Sequence, residues 1–372
     1  MSKPLRVGLI GTGRIAHSHM TAYLDYPDRV QLVAVCDIVE PAAQAYAKEA
    51  GVDAVYTDYE QMLREVDLDA VDICSSHDQH WPQTLVAAAA GKHAIVEKSM
   101  AHNMQASREM VEAADSAGVT LMVAQNQRYT SETVAVKRFI DDGNLGDIQA
   151  VRTHAIMGTV GVNPPGHWMN DGDAGGGVLL TNTIHHVDLL RYYIGNVRRV
   201  TGVCKSVQPQ MVNGAEDLVA ATLEFENGAV GDVFGSWTTS VVPEGQYYMV
   251  VGSKGTIHST TPPRGRPGVG HFGTAMCALK SVEQPAPEPP RQPGERRRRR
   301  RGTPARFEPL SVEDTGLPTE NGVVNEILHF EECCRTGAEP ISSGRDNLET
   351  MKVIAGIQES SRTGRAIDLD TL

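Results

Sequence analysis

The sequence predicts an α/β protein: a doubly wound parallel sheet at the N-terminus, followed by an α+β domain with a large, mainly antiparallel open sheet. Three observations predict this fold. A glycine-rich turn follows the first apolar run, and short apolar runs then alternate with helical patterns for about 125 residues. After residue 126 the alternation ends, and strands follow one another directly.

The composition is that of a globular protein large enough for two domains. The 372 residues are 41% hydrophobic and 22% charged. The net charge of −12 argues against a nucleic-acid or anionic-membrane partner. No apolar run approaches the roughly 20 residues of a membrane span. The start MSKPLRVGLIG leaves no room for a signal peptide, so we expect a cytoplasmic protein. The six cysteines contain no C-x-x-C pair, which fits a reducing compartment, and no metal site is predicted.

The first domain, residues 1–125, is predicted from five short strands rich in Val, Ile and Leu. They are LRVGLI, VQLVAVC, DAVDIC, HAIVE and VTLMVA. Helical stretches such as PAAQAYAKEA and PQTLVAAAA lie between them. This alternation predicts βαβ units and a parallel sheet covered on both faces.

The second domain is predicted over residues 126–344. It opens with a helix, SETVAVKRFIDD, and a strand, IQAVRTHAIM. A helix that carries two histidines ends at Gly195, in the position of a helix stop. Hairpin-like strands follow: RRVTGVCKSV, LVAATLEF, AVGDVFGSW and YYMVVGSKGTIH. Two further helices are predicted at about 319–336 and 345–362, and we expect the last, within a C-terminal segment 345–372, to pack on the first domain.

Residues 262–307 differ from the rest of the chain. They contain nine prolines, the run Arg296–Arg301, and 11 Lys and Arg against 3 Asp and Glu. This composition predicts a disordered loop. A basic run can also indicate nucleic-acid binding, but no aromatic residues are interleaved with the arginines. A solvated insertion, or a poorly constrained stretch, is the favoured interpretation.

The stretch VGLIGTGRIAHSH predicts a dinucleotide site. Gly11 permits a tight turn, Gly13 lets the backbone approach a pyrophosphate, and Ala16 allows close strand–helix contact. The helix N-terminus that follows favours phosphate. Asp37 ends the second strand, 21 residues after Ala16, where an acid binds the ribose hydroxyls. Because a carboxylate repels a 2′-phosphate, NAD is predicted in preference to NADP.

Three stretches together resemble the glucose–fructose oxidoreductase / inositol dehydrogenase (Gfo/Idh/MocA) family. They are CSSHDQHWPQTLVAAAAGKHAIVEKSMA, VAQNQRY and GGGVLLTNTIHHVDLLRYYIG. The resemblance covers most of the chain outside 262–307. It implies a Rossmann domain followed by an open-sheet α/β domain, activity on sugars, polyols and related alcohols, and assembly as a homodimer or homotetramer.

The resemblance implies two catalytic residues. Lys98 matches the family's catalytic lysine, and it follows a buried-type strand at the carboxyl edge of the sheet, where ligands bind. His185 matches the family's base; an imidazole, with an ordinary pKa of about 6.5, suits proton exchange with an alcohol near neutrality. Asp188 and Thr181 share the helix face of His185 and are candidate substrate ligands.

Further candidates come from the matching segments. The candidate substrate ligands are Asn126, Arg128, His154, Trp168 and Asp171. The candidate cofactor contacts, besides Gly11, Gly13, Ala16 and Asp37, are Arg14, Ile15, Ser75, Ser76, Asp78, His80, Glu97 and Lys98 itself. His186, His17 and His19 are interpreted as structural.

The chain departs from the family pattern at three places. Thr181 stands where many members have an aspartate, which removes a charge that would stabilise an imidazolium. Ser99 replaces the usual proline after the lysine, which predicts a looser backbone there. His77 and Asp78 replace Pro and Asn near the expected nicotinamide.

The predicted function is that of an NAD-dependent oxidoreductase acting on a hydroxyl-bearing carbon of a sugar, polyol or cyclic alcohol. Two alternatives remain at this point: a non-catalytic NAD-binding, sugar-responsive regulator, and a glycoside hydrolase that oxidises its substrate transiently with NAD. The presence of both Lys98 and His185 favours the oxidoreductase.

Overall fold

A computed structural model describes residues 3–157, 163–238, 246–260, 274–279 and 306–372. It contains two sheets, one parallel with six strands and one mixed with nine strands. The predicted fold class is confirmed.

The first sheet is parallel throughout, in the order β3-β2-β1-β4-β5-β6. Its strands are β1 (Leu5–Ile10), β2 (Val30–Cys36), β3 (Val55–Tyr56), β4 (Ala70–Ile73), β5 (His93–Glu97) and β6 (Leu121–Ala124). Its helices are α1 (Arg14–Asp25), α2 (Glu40–Ala50), α3 (Tyr59–Glu65), α4 (His77–Ala89) and α5 (Met104–Ala117). The chain order reverses between β1 and β4, the switch point at which such sheets bind ligands.

The strands of the first sheet are short and apolar because helices cover both faces. Every residue of β4 and β6 is buried. Helix α3 begins after Asp58, whose carboxylate accepts hydrogen bonds from the Glu60 and Gln61 amides. Helices α2 and α5 end at Gly51 and Gly118, both in the left-handed conformation.

The second sheet has the order β14-β13-β12-β11-β7-β10-β9-β8-β15 and is antiparallel except for the pair β7 and β10. Its longer strands are β7 (Ile148–Ile156), β8 (Val197–Lys205), β9 (Leu218–Phe225), β10 (Val230–Ser236) and β11 (Gln246–Gly252). The shorter ones are β12 (Gly255–Ser259), β13 (Ala275–Leu279), β14 (Glu308–Pro309) and β15 (Ile367–Asp368). The helices that follow the first domain are α6 (Ser131–Asp141), α7 (Ile184–Ile194), α8 (Gly322–Thr336) and α9 (Gly344–Thr363).

Among the residues that the structure describes, helices α7 and α9 cover one face of the second sheet. In β9, Val219, Leu223 and Phe225 are buried while the residues between them are more exposed. Helix α7 ends as expected at Gly195, with a φ of +112°. Helix α9 packs on β8 and α7 and also contacts α5 of the first domain.

Helix α8 joins the core of the first domain, although its residues belong to the range expected for the second. Its apolar face, with Val324, Ile327 and Phe330, packs in one cluster with Leu9 and Met20. The boundaries 1–125 and 126–344 therefore divide the chain by sequence but not by packing.

The segment 262–307 contains a strand, so the expectation of a loop throughout was wrong at that point. The run AMCAL forms β13, whose five residues pair with β12. A short apolar run can add to a sheet edge whatever the composition around it. Residues 261–273 and 280–305, which include the arginine run, lie outside the described residues.

Two findings concern the cysteines and the hydropathy of the helices. All six cysteines are free thiols. Within the described part of the chain, no helix combines the length and the apolar character needed to cross a bilayer.

Candidate active site

The turn between β1 and α1 packs back to back with the loop after β4. Gly11 has a φ of +91°, and a Cβ there would lie 2.8 Å from the Cys74 carbonyl carbon. Only glycine fits this position. A Cβ on Gly13, in contrast, would meet no described atom within 4 Å. Gly13 caps α1 without a side-chain hydrogen bond, so the first N–H groups of that helix remain available to an anion.

Asp37 lies against this turn, as the sequence predicts. Its Oδ2 accepts hydrogen bonds from the Thr12 amide at 2.7 Å and the Thr12 hydroxyl at 2.8 Å. Its Oδ1 accepts from the Val39 amide at 2.9 Å. The carboxylate is partly exposed beside the phosphate-binding turn, where a ribose would lie.

Lys98 follows β5 at the carboxyl edge of the sheet and reaches the second domain. Its Nζ donates a hydrogen bond to the Thr181 carbonyl at 2.7 Å. Burial lowers the pKa of Lys98, while the Glu97 carboxylate opposes the shift and Arg14 adds to it. Thr181 lies one turn before His185, so the lysine ammonium is placed at the N-terminal end of the histidine-bearing helix.

The peptide between Lys98 and Ser99 is cis and is fixed by hydrogen bonds on several sides. The Ser99 amide donates to His77 Nε2 at 3.1 Å, and the Ser99 hydroxyl donates to the Leu180 carbonyl at 2.7 Å. The His80 ring lies 2.8 Å from the Ser99 carbonyl oxygen. The prediction that Ser99 loosens this backbone was wrong, because its amide and hydroxyl form bonds that a proline cannot form.

His77 connects Lys98 to the loop before α7. Its Nδ1 lies 2.8 Å from the Gly175 carbonyl. Because Nε2 accepts the Ser99 amide, Nδ1 carries the proton and donates. Burial lowers the pKa of His77 well below its ordinary value, with His80 and Lys98 contributing, so the ring stays neutral near pH 7. Trp168 packs edge-on against this ring, with centroids 4.7 Å apart.

The histidine-bearing helix begins with a π-helical turn, Leu179–Thr183. Such turns are frequent at functional sites. Its N-terminus is held by Glu216, whose Oε1 accepts the Leu179 amide at 2.8 Å. Burial raises the pKa of Glu216 to about 7. His185 follows this turn and is 5% exposed.

His186, the neighbour of His185 in the chain, contacts the second sheet. His186 Nδ1 lies within hydrogen-bond distance of the Thr153 hydroxyl, which itself donates to the Tyr247 carbonyl at 2.9 Å. His186 is therefore a buried contact between α7 and the second sheet, in keeping with the structural role expected for it.

Asp188 is paired with Arg128 in the interior of the chain. Its two oxygens accept a bidentate hydrogen bond from Arg128, at 2.7 Å each, and one also accepts the Thr350 hydroxyl at 3.0 Å. Arg128 and Asp188 are each 1% exposed, and Arg128 also pairs with Asp346. Each of the two groups satisfies the other's buried charge. Their assignment as substrate ligands stays a prediction.

Two further candidate substrate ligands, His154 and Thr181, have contacts within the chain, and their assignment as ligands stays a prediction. His154 lies on β7 between Thr153 and Ala155, which are buried against the helices, so its side chain points to the opposite face and stacks on Tyr247. The Thr181 hydroxyl donates to the Gly177 carbonyl, four residues earlier, at 2.5 Å. The Thr181 carbonyl accepts from Lys98.

Two candidate cofactor contacts, Glu97 and His80, also have bonds within the chain. Glu97 turns inward: its Oε2 accepts the Lys98 amide at 3.0 Å and its Oε1 lies 3.2 Å from His19 Nε2. His80 is fully buried between the carbonyls of Ser75 and Ser99. Both residues thus have contacts with the strand-end loops, and their assignment as cofactor contacts stays a prediction.

The remaining candidates lie partly exposed, each with a bond to its own surroundings. Ser75 donates to Gln83 at 2.7 Å, and Ser76 donates to Asp78 at 2.6 Å. Asn126 accepts from the Gln127 amide group at 3.0 Å, and Asp171 Oδ1 accepts from Asn213 at 2.8 Å. Arg14 is exposed at the mouth of the turn, with Ile15 and Ala16 behind it in the core. These residues stay candidates.

The sequence interpretation missed three positioning residues, namely His77, Gly175 and Glu216. A signal for His77 was present, since it and Ser99 both depart from the family pattern, but nothing indicated that the two form a pair. A Cβ on Gly175 would lie 2.9 Å from that of His77, so only a glycine allows the loop this close. The sequence gives no signal for Glu216.

The fit of this site to a dinucleotide rests on the strand-end turn. The pyrophosphate would lie at the open N-terminus of α1, in the space over Gly13. A ribose would lie at the carboxylate of Asp37. Lys98 lies at the same sheet edge, one strand beyond β4 from β1. These residues suit NAD.

The parallel sheet with this turn, joined to a second sheet domain that meets Lys98, defines a two-domain dinucleotide-binding oxidoreductase. The chain belongs to the Gfo/Idh/MocA family. Residues 5–125 match the oxidoreductase family profile with an NAD-binding Rossmann fold, and residues 133–258 match the GFO/IDH/MocA C-terminal domain.

Characterised relatives act on sugars. The chain is 28% identical to D-apiose dehydrogenase of Paraburkholderia graminis, over all of this chain and 91% of that protein. It is 31% identical to D-glucoside 3-dehydrogenase of Escherichia coli, over 62% of this chain and 69% of that protein. The fold is also that of levoglucosan dehydrogenase in complex with NADH and levoglucosan, with a TM-score of 0.83, 23% identity, and coverage of 99% and 100% of the two chains.

Proposed function

We propose that this oxidoreductase exchanges hydride between NAD and a hydroxyl-bearing carbon of a sugar, polyol or related cyclic alcohol. The observation that carries the proposal is the contact of Lys98 Nζ with the Thr181 carbonyl. It brings the lysine of the dinucleotide domain to the start of the helix that bears His185. Relatives named as sugar and inositol dehydrogenases support the substrate class.

Lys98 and His185 have different roles at the substrate oxygen: Lys98 stabilises its negative charge, and His185 exchanges its proton. The nicotinamide, when bound, supplies the hydride acceptor for oxidation or the donor for reduction. The Lys98 ammonium has three N–H donors, of which one is used on Thr181, so two can stabilise an alkoxide-like oxygen. The His185 imidazole takes up the hydroxyl proton, or returns it in the reverse direction. Trp168, at the edge of His77, offers an apolar face for a sugar ring.

NAD is the proposed coenzyme in preference to NADP. Asp37 places a carboxylate beside the phosphate-binding turn, held by three hydrogen bonds from Thr12 and Val39. A 2′-phosphate at that position would meet a fixed negative charge.

The chain is proposed to assemble as a homodimer or homotetramer. The face of the second sheet opposite α7 and α9 supports this, since it carries the partly exposed side chains of Phe234, Tyr247 and Met249. Sedimentation equilibrium tests it, and a monomer at all concentrations would contradict it. The proposed compartment remains the cytoplasm, where six free thiols stay reduced.

A coenzyme-reduction screen tests the function. The protein is incubated with NAD and a panel of aldoses, glycosides, anhydro sugars, inositols and acyclic polyols, and reduced nicotinamide is followed by absorbance. We expect turnover on at least one cyclic member, with a higher kcat/KM for NAD than for NADP. NAD binding without turnover on any panel member, and without reverse turnover on the matching ketones, would favour the regulator. Sugar release without net reduction would indicate the hydrolase.

A further inference from the structure

Beneath Lys98 lies a cluster of buried ionisable groups outside the proposed reaction. It consists of His19 from α1, Asp72 from β4, Glu97 at the end of β5 and Glu326 from α8, and we call these four the inner cluster. Their exposure ranges from 0% to 6%. Four elements of the first domain thus place three acids around one imidazole.

His19 is held as an imidazolium by two carboxylates. Its Nδ1 lies 2.9 Å from Asp72 and its Nε2 lies 3.2 Å from Glu97. Carboxylates only accept, so both ring nitrogens must donate. Burial alone would lower the pKa of His19, but the Asp72 carboxylate and Cys74 raise it well above its ordinary value.

Asp72 and Glu97 each have the donors that an ionised carboxylate requires. Besides His19, Asp72 accepts the Tyr23 hydroxyl at 2.7 Å and the Cys74 thiol at 3.4 Å. Glu97 accepts the Lys98 amide at 3.0 Å. Both acids are therefore stabilised as anions without any contribution from Glu326.

Glu326, in contrast, lacks the hydrogen-bond donors that Asp72 and Glu97 have among the described residues. It is 0% exposed, and neither of its carboxyl oxygens has a hydrogen-bond partner within the described part of the chain. Ligand atoms of Glu326, Glu97 and His19 nevertheless lie within 4.8 Å of one another. A buried carboxylate without donors is strongly disfavoured.

The charges of the inner cluster and of the adjacent Lys98 balance without an ionised Glu326. Lys98 and His19 carry two positive charges, and Asp72 and Glu97 carry two negative charges. A third carboxylate would leave one uncompensated buried negative charge. The phenol of Tyr129 is a further titratable group near Glu326, and its hydroxyl lies 2.9 Å from the Ser342 hydroxyl.

We propose that Glu326 keeps its proton at neutral pH and that the inner cluster positions Lys98, by tying helix α1 of the phosphate-binding turn to the end of β5. The Glu97 carboxylate is the acceptor that we assign to the Glu326 hydroxyl, since ligand atoms of the two acids lie within 4.8 Å of each other and both His19 ring N–H groups are already donated. Glu97 is in turn bonded to the Lys98 amide. The positioning role rests on the proposed function of Lys98, whereas the protonation of Glu326 does not.

Infrared difference spectroscopy tests the protonation directly. The spectrum of the unsubstituted protein minus that of Glu326→Gln, at neutral pH, should contain the C=O stretch of one protonated carboxyl group. Glu332→Gln, an exposed acid on the same helix, is the matched control and should remove a carboxylate band. Loss of a carboxylate band in Glu326→Gln as well would overturn the proposal.

A metal ion is the rival occupant, because a His–Glu–Glu set with Asp72 behind the histidine also suits zinc. Metal analysis of the purified protein decides between the two. A stoichiometric transition metal, lost in Glu326→Gln, would overturn the proposal, and its absence together with the carboxyl band supports it.

Kinetics test the positioning role. Glu326→Met, which cannot donate to Glu97, should lower kcat by about tenfold while NADH affinity stays unchanged, and Glu326→Gln, which can donate, should restore kcat. A purely structural role would lower Tm without this separation of kcat from cofactor affinity. An unchanged kcat in Glu326→Met would overturn the positioning role but leave the infrared result intact. Unchanged turnover in Lys98 variants would instead contradict the proposed function, while the infrared band of the protonated carboxyl group would remain.

Discussion

At the residue scale, His77 determines how the backbone presents Lys98. Its neutral ring accepts the Ser99 amide through one nitrogen and donates to Gly175 through the other. One side chain thereby joins the lysine-bearing loop to the loop that leads into the second domain's helix. Trp168, which packs on the same ring, shares this support.

Replacing His77 tests that support. His77→Leu keeps the buried volume but removes both hydrogen bonds, and we expect kcat/KM to fall about tenfold to a hundredfold because Lys98 is misplaced. Ser99→Ala is the matched comparison, since it loses the hydroxyl but retains the amide that His77 accepts. It should lose less activity than His77→Leu in the same assay. Equal kcat/KM for His77→Leu and the unsubstituted protein would contradict the role.

The sequence predicts the role of a residue when that role depends on its neighbours in the chain. It does not predict the pairing of two residues that are far apart in the chain. Gly11 and Asp37 follow from the turn and strand around them, and the structure places them accordingly. Arg128 and Asp188 both look like ligands in isolation. They lie 60 residues apart, and only the folded chain shows that they neutralise each other.

At the element scale, the start of the histidine-bearing helix depends on an acid from another segment. Glu216 accepts the Leu179 amide where the π turn begins, and it is almost fully buried. The helix N-terminus favours the carboxylate, but burial dominates and raises the pKa of Glu216 to about 7.

Stability should therefore depend on pH through Glu216. The ordinary pKa of a glutamate is 4.5, and below that pH the contribution of Glu216 to the free energy of unfolding is fully present. This contribution is lost as the pH rises towards about 7, because the folded state retains the proton that the unfolded state releases. The loss amounts to about 3 kcal/mol. Glu216→Gln does not titrate, so its Tm relative to the unsubstituted protein should rise between these pH values and level off above them. Thermal unfolding at a series of pH values measures this difference, with the exposed Glu226→Gln as control. A constant Tm difference between Glu216→Gln and the unsubstituted protein would rule out the raised pKa.

Helix and strand bounds followed closely from periodicity and stop signals, as α6, α7 and the two C-terminal helices show. The π turn was missed because its residues are all compatible with an α-helix. The strand Ala275–Leu279 was missed for another reason. Its five apolar residues contribute little to a composition that is averaged over a segment rich in Pro and Arg.

At the scale of the whole molecule, ion pairs of Arg128 link three separate segments of the chain. Arg128 precedes α6, Asp188 lies on α7, and Asp346 lies on α9, which spans both domains. The guanidinium also lies 5.1 Å from the Tyr192 ring centroid. These ion pairs compensate the buried charges of Arg128 and Asp188.

Asp188→Asn should destabilise the protein strongly. It leaves the Arg128 charge buried with only the partly exposed Asp346, and we expect a loss of about 3 kcal/mol or more, measured by denaturant unfolding. Asp346→Asn is the control and should cost less, because that carboxylate is 34% exposed and Asp188 remains. A loss of activity in Asp188→Asn at unchanged stability would support Asp188 as a substrate ligand.

The central claim is that Lys98 and His185 perform the chemistry at a site where the dinucleotide domain meets the second domain. The most direct test measures turnover and NADH binding on the same variants, Lys98→Met and His185→Asn. Lys92→Met is the control, since Lys92 flanks the other end of β5 and also donates to a backbone carbonyl, at 2.6 Å. The account predicts that turnover falls by about a hundredfold to ten-thousandfold in the two variants, with NADH affinity within about tenfold and Lys92→Met unaffected. Turnover close to that of the unsubstituted protein in both variants would contradict it.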